Sequence, residues 1–131
     1  MKKFILFLSL FIIIGSGIYI LISSYTFSDG VRKGFLMKFS KKGLIFKTHE
    51  GEVNLGYINT VGGKFAANTW QFSVKDNHTE LIESLNLNEG EELQFYYKEK
   101  LKALPWQGDT KYFVYRVEKV KVPNQDGGKN Y

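Results

Sequence analysis

The chain has 131 residues, of which 44% are hydrophobic and 24% are charged, a balance that excludes an intrinsically disordered protein. Its length leaves room for one domain, and its formal net charge of +5 is modest. It contains no cysteine, which excludes disulfides, thiolate metal sites, a cysteine nucleophile and a lipid-modified cysteine anchor.

The first predicted element is an apolar helix at the N-terminus. The 19 residues from Phe4 to Ile22 carry no charge. As a helix they would be roughly 28 Å long, close to the roughly 30 Å of a hydrocarbon core. A signal peptide usually has a shorter apolar core of about 7–15 residues and a small-x-small cleavage site. Here Gly15-Ser16-Gly17 lies too early for cleavage, and Ile22-Ser23-Ser24 makes a poor cleavage site. We therefore predict a single-pass membrane anchor over residues 1–24, with secretion after signal cleavage as the alternative.

Positive residues near the helix indicate its orientation. Lys2 and Lys3 precede the helix and favour a cytoplasmic N-terminus, which would place the domain outside the cytoplasm. Arg32 and Lys33 lie within about 15 residues of the helix end and compete with them. The opposite orientation therefore stays open.

Beyond the helix, apolar and polar residues alternate with the two-residue period of β-strands. Glycine-containing turns separate the alternating runs. One amphipathic segment, Asp76–Leu85, lies between the fourth and fifth runs and is predicted to be a short helix. The six predicted strands are Phe35–Phe39, Leu44–Thr48, Val53–Tyr57, Trp70–Val74, Leu93–Lys98 and Phe113–Glu118.

About six strands and one helix predict a mainly β globular domain over residues 25–122, followed by a flexible tail over residues 123–131. We expect a small antiparallel barrel like that of the oligonucleotide/oligosaccharide-binding (OB) fold. Closing the sheet removes exposed strand edges, and that fold also inserts a helix between strands. An open sheet packed on the helix is the alternative.

Few residues suggest catalysis or metal binding. The histidines, His49 and His78, have no second His or Cys at ligand spacing, so neither a metal site nor a cofactor is expected. The sequence also lacks a phosphate loop, a dinucleotide-binding loop and a Gly-x-Ser-x-Gly element. A small hydrolase-like enzyme that uses Asp109, His49 or the Glu50/Glu52 pair in a cleft is the alternative to a non-enzymatic protein.

Two regions are candidate binding sites. The first is a stretch without acidic residues between Gly30 and His49, which contains Arg32, Lys33, Lys38, Lys41, Lys42 and Lys47. We interpret it first as a solvated strand face, then as a contact to anionic lipid headgroups, and last as a nucleic-acid contact. The second region is a loop with Trp106 and Asp109, in which the tryptophan either caps the barrel or contacts a partner.

Five segments carry distinctive motifs: Ser28–Arg32, Gly34–Gly43, Lys47–Glu52, Trp70–Val74 and Gly108–Phe113. Together with the N-terminal anchor they resemble an uncharacterised family of short, membrane-anchored bacterial proteins. The resemblance covers most of the domain and implies no catalytic residue. Some similar sequences carry the name 6-phosphogluconate dehydrogenase. This chain does not support that activity, because it is too short for a nucleotide domain plus a substrate domain and lacks the dinucleotide-binding loop.

The anchor, the predicted barrel and the lack of a catalytic constellation indicate a non-enzymatic, membrane-tethered β-domain that binds a protein or an envelope component. Its expected contacts are membrane lipid, through residues 4–22, and a protein partner. Nucleic-acid binding is the least expected function, since it would require the basic stretch to face the cytoplasm.

Overall fold

The computed structural model describes residues 1–59 and 61–121. The predicted tail, residues 123–131, lies outside the described residues. The elements follow in the order α1 (Lys2–Ser24), β1 (Thr26–Lys42), β2 (Thr48–Asn59), β3 (Phe65–Val74), α2 (Thr79–Leu87), β4 (Glu92–Lys100) and β5 (Tyr112–Lys119).

The strands close into a barrel in the order β1-β2-β3-β5-β4, and β4 pairs with β1. The neighbouring strands are antiparallel except β3 and β5, which meet in parallel at Ser73 and Phe113. Helix α2 lies in the connection from β3 to β4 and begins at Thr79 rather than at Asp76. The prediction of a mainly β, OB-like barrel with one inserted helix is confirmed.

The barrel has five strands where the sequence pattern predicted about six. The run Leu44–Thr48 is the turn from β1 to β2 together with the first residue of β2. Gly43 follows the last residue of β1 and has φ +132°, a left-handed conformation that glycine adopts without strain. A Cβ there would overlap the carbonyl oxygen of Phe46, so the chain reverses tightly at this point. Alternation alone could not reveal that the apolar side chains of this run lie in a turn.

A long first strand lets five strands close. The first half of β1 pairs with β4, and its second half pairs with β2. The register with β2 shifts between Leu36 and Lys38, which marks a bulge that bends the strand. One strand therefore forms two neighbouring walls of the barrel.

The core fills the barrel interior. Two glycines make room for large side chains: a Cβ on Gly51 would overlap the ring of Phe72, and one on Gly34 would overlap the side chain of Val53. Helix α2 adds Leu85 to this core. The buried cluster consists of Leu36, Phe39, Val53, Trp70, Phe72, Val74, Leu85, Leu93, Phe95 and Val114.

Helix α1 runs into the barrel with a single residue, Tyr25, between them. The helix is long and apolar enough to span a membrane, and a signal sequence would meet the same criterion. Ser23 is its one buried residue, and the Ser23 hydroxyl donates to the carbonyl of Tyr19 at 2.8 Å. The Tyr25 carbonyl accepts a hydrogen bond from the N–H of Leu101 at 3.4 Å. The helix end is thus fastened to the residue that follows β4.

Candidate functional site

The β4–β5 loop, residues 101–111, packs on the outer face of the barrel. Ser73 of β3 stands between the inward-pointing Phe72 and Val74, so its side chain points outward. Ser73 is nevertheless fully buried, because the loop covers it. A Cβ on Gly108 would lie 2.5 Å from the Ser73 side chain. The loop backbone therefore approaches β3 as closely as a glycine permits.

A buried carboxylate holds this loop in place. Glu50 of β2 pairs with Ser73 across the sheet and is only 6% exposed. Its Oε2 accepts a hydrogen bond from the Ser73 hydroxyl at 2.6 Å, and its Oε1 accepts one from the backbone N–H of Asp109 at 3.0 Å. The N–H of Thr110 donates to the Ser73 hydroxyl at 3.1 Å. Both oxygens of Glu50 are therefore engaged in fastening the loop.

A polar pocket of about 200 Å³ opens beside this fastening. Strands β1, β2 and β3 form its floor, and the β4–β5 loop forms one wall. Lys42 Nζ lies 3.9 Å from Asp109 Oδ2, with both side chains more than half exposed. Within residues 1–59 and 61–121, several lining side chains have no hydrogen-bond or ion-pair partner, namely Lys38, Ser40, Glu52 and Gln71. These polar groups are therefore available to a ligand.

The structure brings together only part of the predicted basic stretch. Lys38 and Lys42 line the pocket with Asp109. The other exposed lysines of the stretch do not line the pocket; these are Lys33, Lys41 and Lys47. Their role in binding stays a prediction.

Arg32 is separated from those lysines because it packs on aromatic rings. Its guanidinium carbon lies 5.1 Å from the ring centre of Trp70 and 5.6 Å from those of Tyr97 and Tyr112. The three rings also pack against one another, with centres 5.0–5.7 Å apart. Cation–π attraction thus holds Arg32 beside core residues of the barrel rather than in a row with the surface lysines.

Trp106 is 53% exposed and packs against the edge of Phe46, with ring centres 6.1 Å apart. It is not part of the core cluster, so it does not cap the barrel interior. Instead it joins the β4–β5 loop to the turn between β1 and β2. The alternative interpretation, a contact to a partner, stays a prediction.

His49 does not share the pocket with the nearby carboxylates. It stacks on Phe39 with ring centres 6.0 Å apart, and its Nδ1 lies 2.7 Å from Asp76 Oδ1. Neighbouring strand residues point to opposite faces, so His49 and Glu50 diverge. Glu50, Glu52 and Asp109 line the pocket without a histidine. In the described part of the chain, no group of three or more His, Cys, Asp or Glu could hold a metal ion.

A second polar region, which the sequence analysis missed, lies where α1 meets the barrel. The cleft measures about 530 Å³, and Lys100 at the end of β4 is buried in it with only 7% exposure. Burial and the charge of Lys75 lower the pKa of Lys100. A lysine at a strand end normally extends into solvent, so no sequence signal marked it. The cleft is lined by Ser24, Thr26, Asp29, Lys75, His78, Lys98, Lys100, Phe113, Val114 and Tyr115.

The barrel coincides with a known family of sequences. No curated protein and no solved structure matches the chain. The model of a domain of unknown function (DUF8785) matches residues 25–123, which include all five strands and α2. The resemblance to an uncharacterised family is confirmed in this respect, and the chain belongs to the DUF8785 family.

Proposed function

We propose that this protein is a membrane-tethered binding module: α1 holds the barrel at a membrane surface, and the polar pocket beside Glu50 binds a segment of a protein partner. In this proposal residues 1–24 are the anchor and residues 25–122 are the binding domain. The observation that carries it is a pocket with unpaired polar groups under a loop that a buried carboxylate keeps in place.

The tether is supported by the length and exposure of α1. Its 23 residues reach about 34 Å as a helix, enough to cross a hydrocarbon core. Nearly all its side chains are exposed, although they are strongly apolar, and only a surrounding apolar phase would remove them from water. The helix also has contacts at its barrel end: Lys102 Nζ lies 4.9 Å from the ring centre of Tyr19.

The character of the pocket favours a peptide over a polyanion. Lys38 and Lys42 stand opposite Glu52 and Asp109, so the pocket carries both signs of charge. Nucleic-acid binding depends on a basic field, which these acidic residues interrupt. A peptide presents backbone donors and acceptors as well as charges of both signs, and the unpaired amide of Gln71 can serve either kind of group. The fold alone does not decide this, although OB barrels bind ligands at strands 2 and 3 and the adjoining loops.

The exposed aromatic pair supports a protein partner as well. Trp106 lies three residues before Asp109 in the same loop and packs on Phe46, which lies in the turn that follows Lys42. The aromatic pair is therefore close in sequence to two residues that line the pocket. Protein interfaces combine such aromatic anchors with a polar surround. We therefore expect the partner to contact both the pocket and Trp106.

Site-specific photocrosslinking in cells tests the pocket. A benzophenone side chain at position 71 in the full chain should give a discrete crosslinked product, which a charge reversal, Lys38→Glu with Glu52→Lys, should abolish. The same label at Asn68, exposed on β3 but outside the pocket, is the control. If both labels give the same products, or if the charge reversal has no effect, the pocket is not the binding site.

Membrane extraction tests the tether. We expect the full-length chain to stay with membranes after alkaline carbonate treatment and to be released by detergent. If the full-length gene product is instead recovered as a soluble chain that has lost residues 1–24, the proposal is contradicted and the segment is a cleaved signal. Orientation is tested with a C-terminal fusion to a phosphatase that works only outside the cytoplasm. This fusion should show phosphatase activity, because Lys2 and Lys3 favour a cytoplasmic N-terminus.

A further inference from the structure

Lys100 is a largely buried lysine with which no carboxylate of the described residues pairs. It is 7% exposed, and its ammonium lies 4.8 Å from the ring centre of Phe113. Within residues 1–59 and 61–121, no carboxylate lies within salt-bridge distance of it. Buried charges in proteins are normally paired, because removal from water is costly.

A second lysine in the same cleft makes this imbalance larger. Lys75 lines the cleft together with Lys100 and, besides burial, its positive charge lowers the pKa of Lys100. Ammonium groups only donate hydrogen bonds, so two of them cannot satisfy each other while both are protonated. An anion placed between them would accept from both. Two lysines in one cleft therefore favour an anion as their ligand.

The cleft around these lysines favours an anion as a whole. Lys75, Lys98 and Lys100 line it against a single carboxylate, that of Asp29. Asp29 has no ion pair with any of the three lysines. The hydroxyl and imidazole groups of the cleft come from Ser24, Thr26, Tyr115 and His78. The volume of about 530 Å³ accommodates a phosphate together with part of the group that carries it.

The position of the cleft indicates where the anion comes from. Its wall includes Ser24 and Thr26, on either side of the single residue that joins α1 to β1. If α1 spans a membrane, this level is the headgroup layer, which is roughly 5–8 Å thick on each side. Tyr19 lies about 8 Å below the helix end, where interfacial aromatic residues are common, and Lys102 contacts its ring.

We propose that the cleft between α1 and the barrel binds a phosphate group, supplied by the headgroup of an anionic lipid, between Lys75 and Lys100. This inference rests on the membrane tether of the proposed function and is independent of the pocket beside Glu50. The proposed site gives α1 a second role, because the helix places the cleft among the phosphodiester groups of the lipid headgroups. The barrel would then be held at the surface by the lipid as well as by the helix.

The test uses the full chain in uncharged maltoside micelles. Thermal unfolding is followed while phosphatidylglycerol, phosphatidylcholine or inorganic phosphate is added, the last at constant ionic strength. A ligand that binds only the folded chain raises the unfolding temperature with its concentration. We expect phosphatidylglycerol to raise it more than phosphatidylcholine, since the zwitterionic headgroup brings its own cation.

The variants Lys100→Gln and Lys75→Gln should each need about tenfold more phosphatidylglycerol, or more, for the same shift, the usual loss for one charge-assisted hydrogen bond. Lys119→Gln is the matched control, since it removes the same charge from an exposed position on β5 outside the cleft. It should respond like the parent chain. Without lipid, Lys100→Gln should unfold at the same or a higher temperature, which shows that a lost response is not a loss of folding.

The possible outcomes are distinct. A variant-dependent response to phosphatidylglycerol or to inorganic phosphate supports the phosphate site, and the ligand that responds identifies the source. An unchanged response in Lys100→Gln, or an equal loss in Lys119→Gln, overturns it. The charge reversal at Lys38 and Glu52 should leave the lipid response intact, and membrane extraction reports on the tether separately, so each proposal can fail without the other.

Discussion

Glu50 and Lys100 are buried to almost the same extent, at 6% and 7% exposure, but their surroundings are opposite. Glu50 accepts hydrogen bonds from the Ser73 hydroxyl and from the backbone N–H of Asp109. Lys100 has an aromatic ring and a second lysine as its neighbours. Glu50 is satisfied within the fold, whereas Lys100 has no carboxylate partner among residues 1–59 and 61–121.

This difference separates a structural group from a candidate binding group. A satisfied buried carboxylate stabilises the loop that it holds, and its removal leaves donors without partners. An unsatisfied buried cation destabilises the fold until something else pairs with it. The two sites should therefore respond to mutation with opposite signs.

The replacement Glu50→Ala should lower the free energy of unfolding by about 2–4 kcal/mol, because it leaves two donors unpaired beneath the β4–β5 loop. Chemical denaturation in maltoside micelles, followed by tryptophan fluorescence, measures this. Glu52→Ala is the matched control, as Glu52 lines the same pocket but has no partner in the described part of the chain. Equal effects of the two variants would show that Glu50 does not fasten the loop.

The replacement Gly108→Ala should cost about 1–3 kcal/mol, since the added methyl group would lie 2.5 Å from Ser73 and force the loop outward. Hydrogen exchange at the amides of Asp109 and Thr110 should accelerate, because both amides donate to groups on the barrel face. If the two amides exchange as slowly as in the parent chain, the loop is not held at this contact.

The replacement Lys100→Met should raise the free energy of unfolding by about 1 kcal/mol in the absence of anionic lipid, or about 4–8 °C for a domain of this size. It removes an unpaired buried charge and retains the apolar stem. Lys98→Met, in the same cleft but exposed, is the control and should change little. A destabilised Lys100→Met variant would mean that the ammonium is satisfied in the folded chain.

The replacement Lys42→Gln should change the free energy of unfolding by less than about 0.5 kcal/mol, although it removes the ion pair with Asp109. Both side chains are more than half exposed, so water replaces the contact at little cost. The same variant should weaken partner crosslinking at position 71. A large loss of stability would show that the exposed pair, rather than Glu50, holds the loop.

The sequence pattern contained most of the fold, since each strand includes at least part of a predicted alternating run. It failed at Leu44–Thr48, where alternation continues through a turn that Gly43 begins. The inserted helix was predicted as well, because its apolar residues have helical spacing. These features depend on local sequence, which a single chain reveals.

The sites were harder to predict because they depend on which distant residues meet. The sequence indicates Lys38, Lys42 and Asp109 as candidate binding residues, but Glu50 only as a possible catalytic group. Its role requires the β4–β5 loop to fold back over β3, which no local pattern encodes. Lys75 directly follows β3, and Lys100 is the last residue of β4. Only closure of the barrel brings these two lysines close to each other.

The pKa of Lys100 offers the most direct test of the contrast between the two buried charges. Side-chain NMR of the full chain in maltoside micelles can follow this lysine through a pH titration. The groups that face it are Lys75, Lys98, Asp29, His78 and Tyr115. Without lipid, burial and Lys75 should hold the pKa of Lys100 below the ordinary lysine value. An anion that binds the protonated form must raise that pKa, so phosphatidylglycerol should move it upward and its binding should weaken as the pH rises through the bound-state pKa. A pKa of Lys100 that phosphatidylglycerol leaves unchanged would contradict the account.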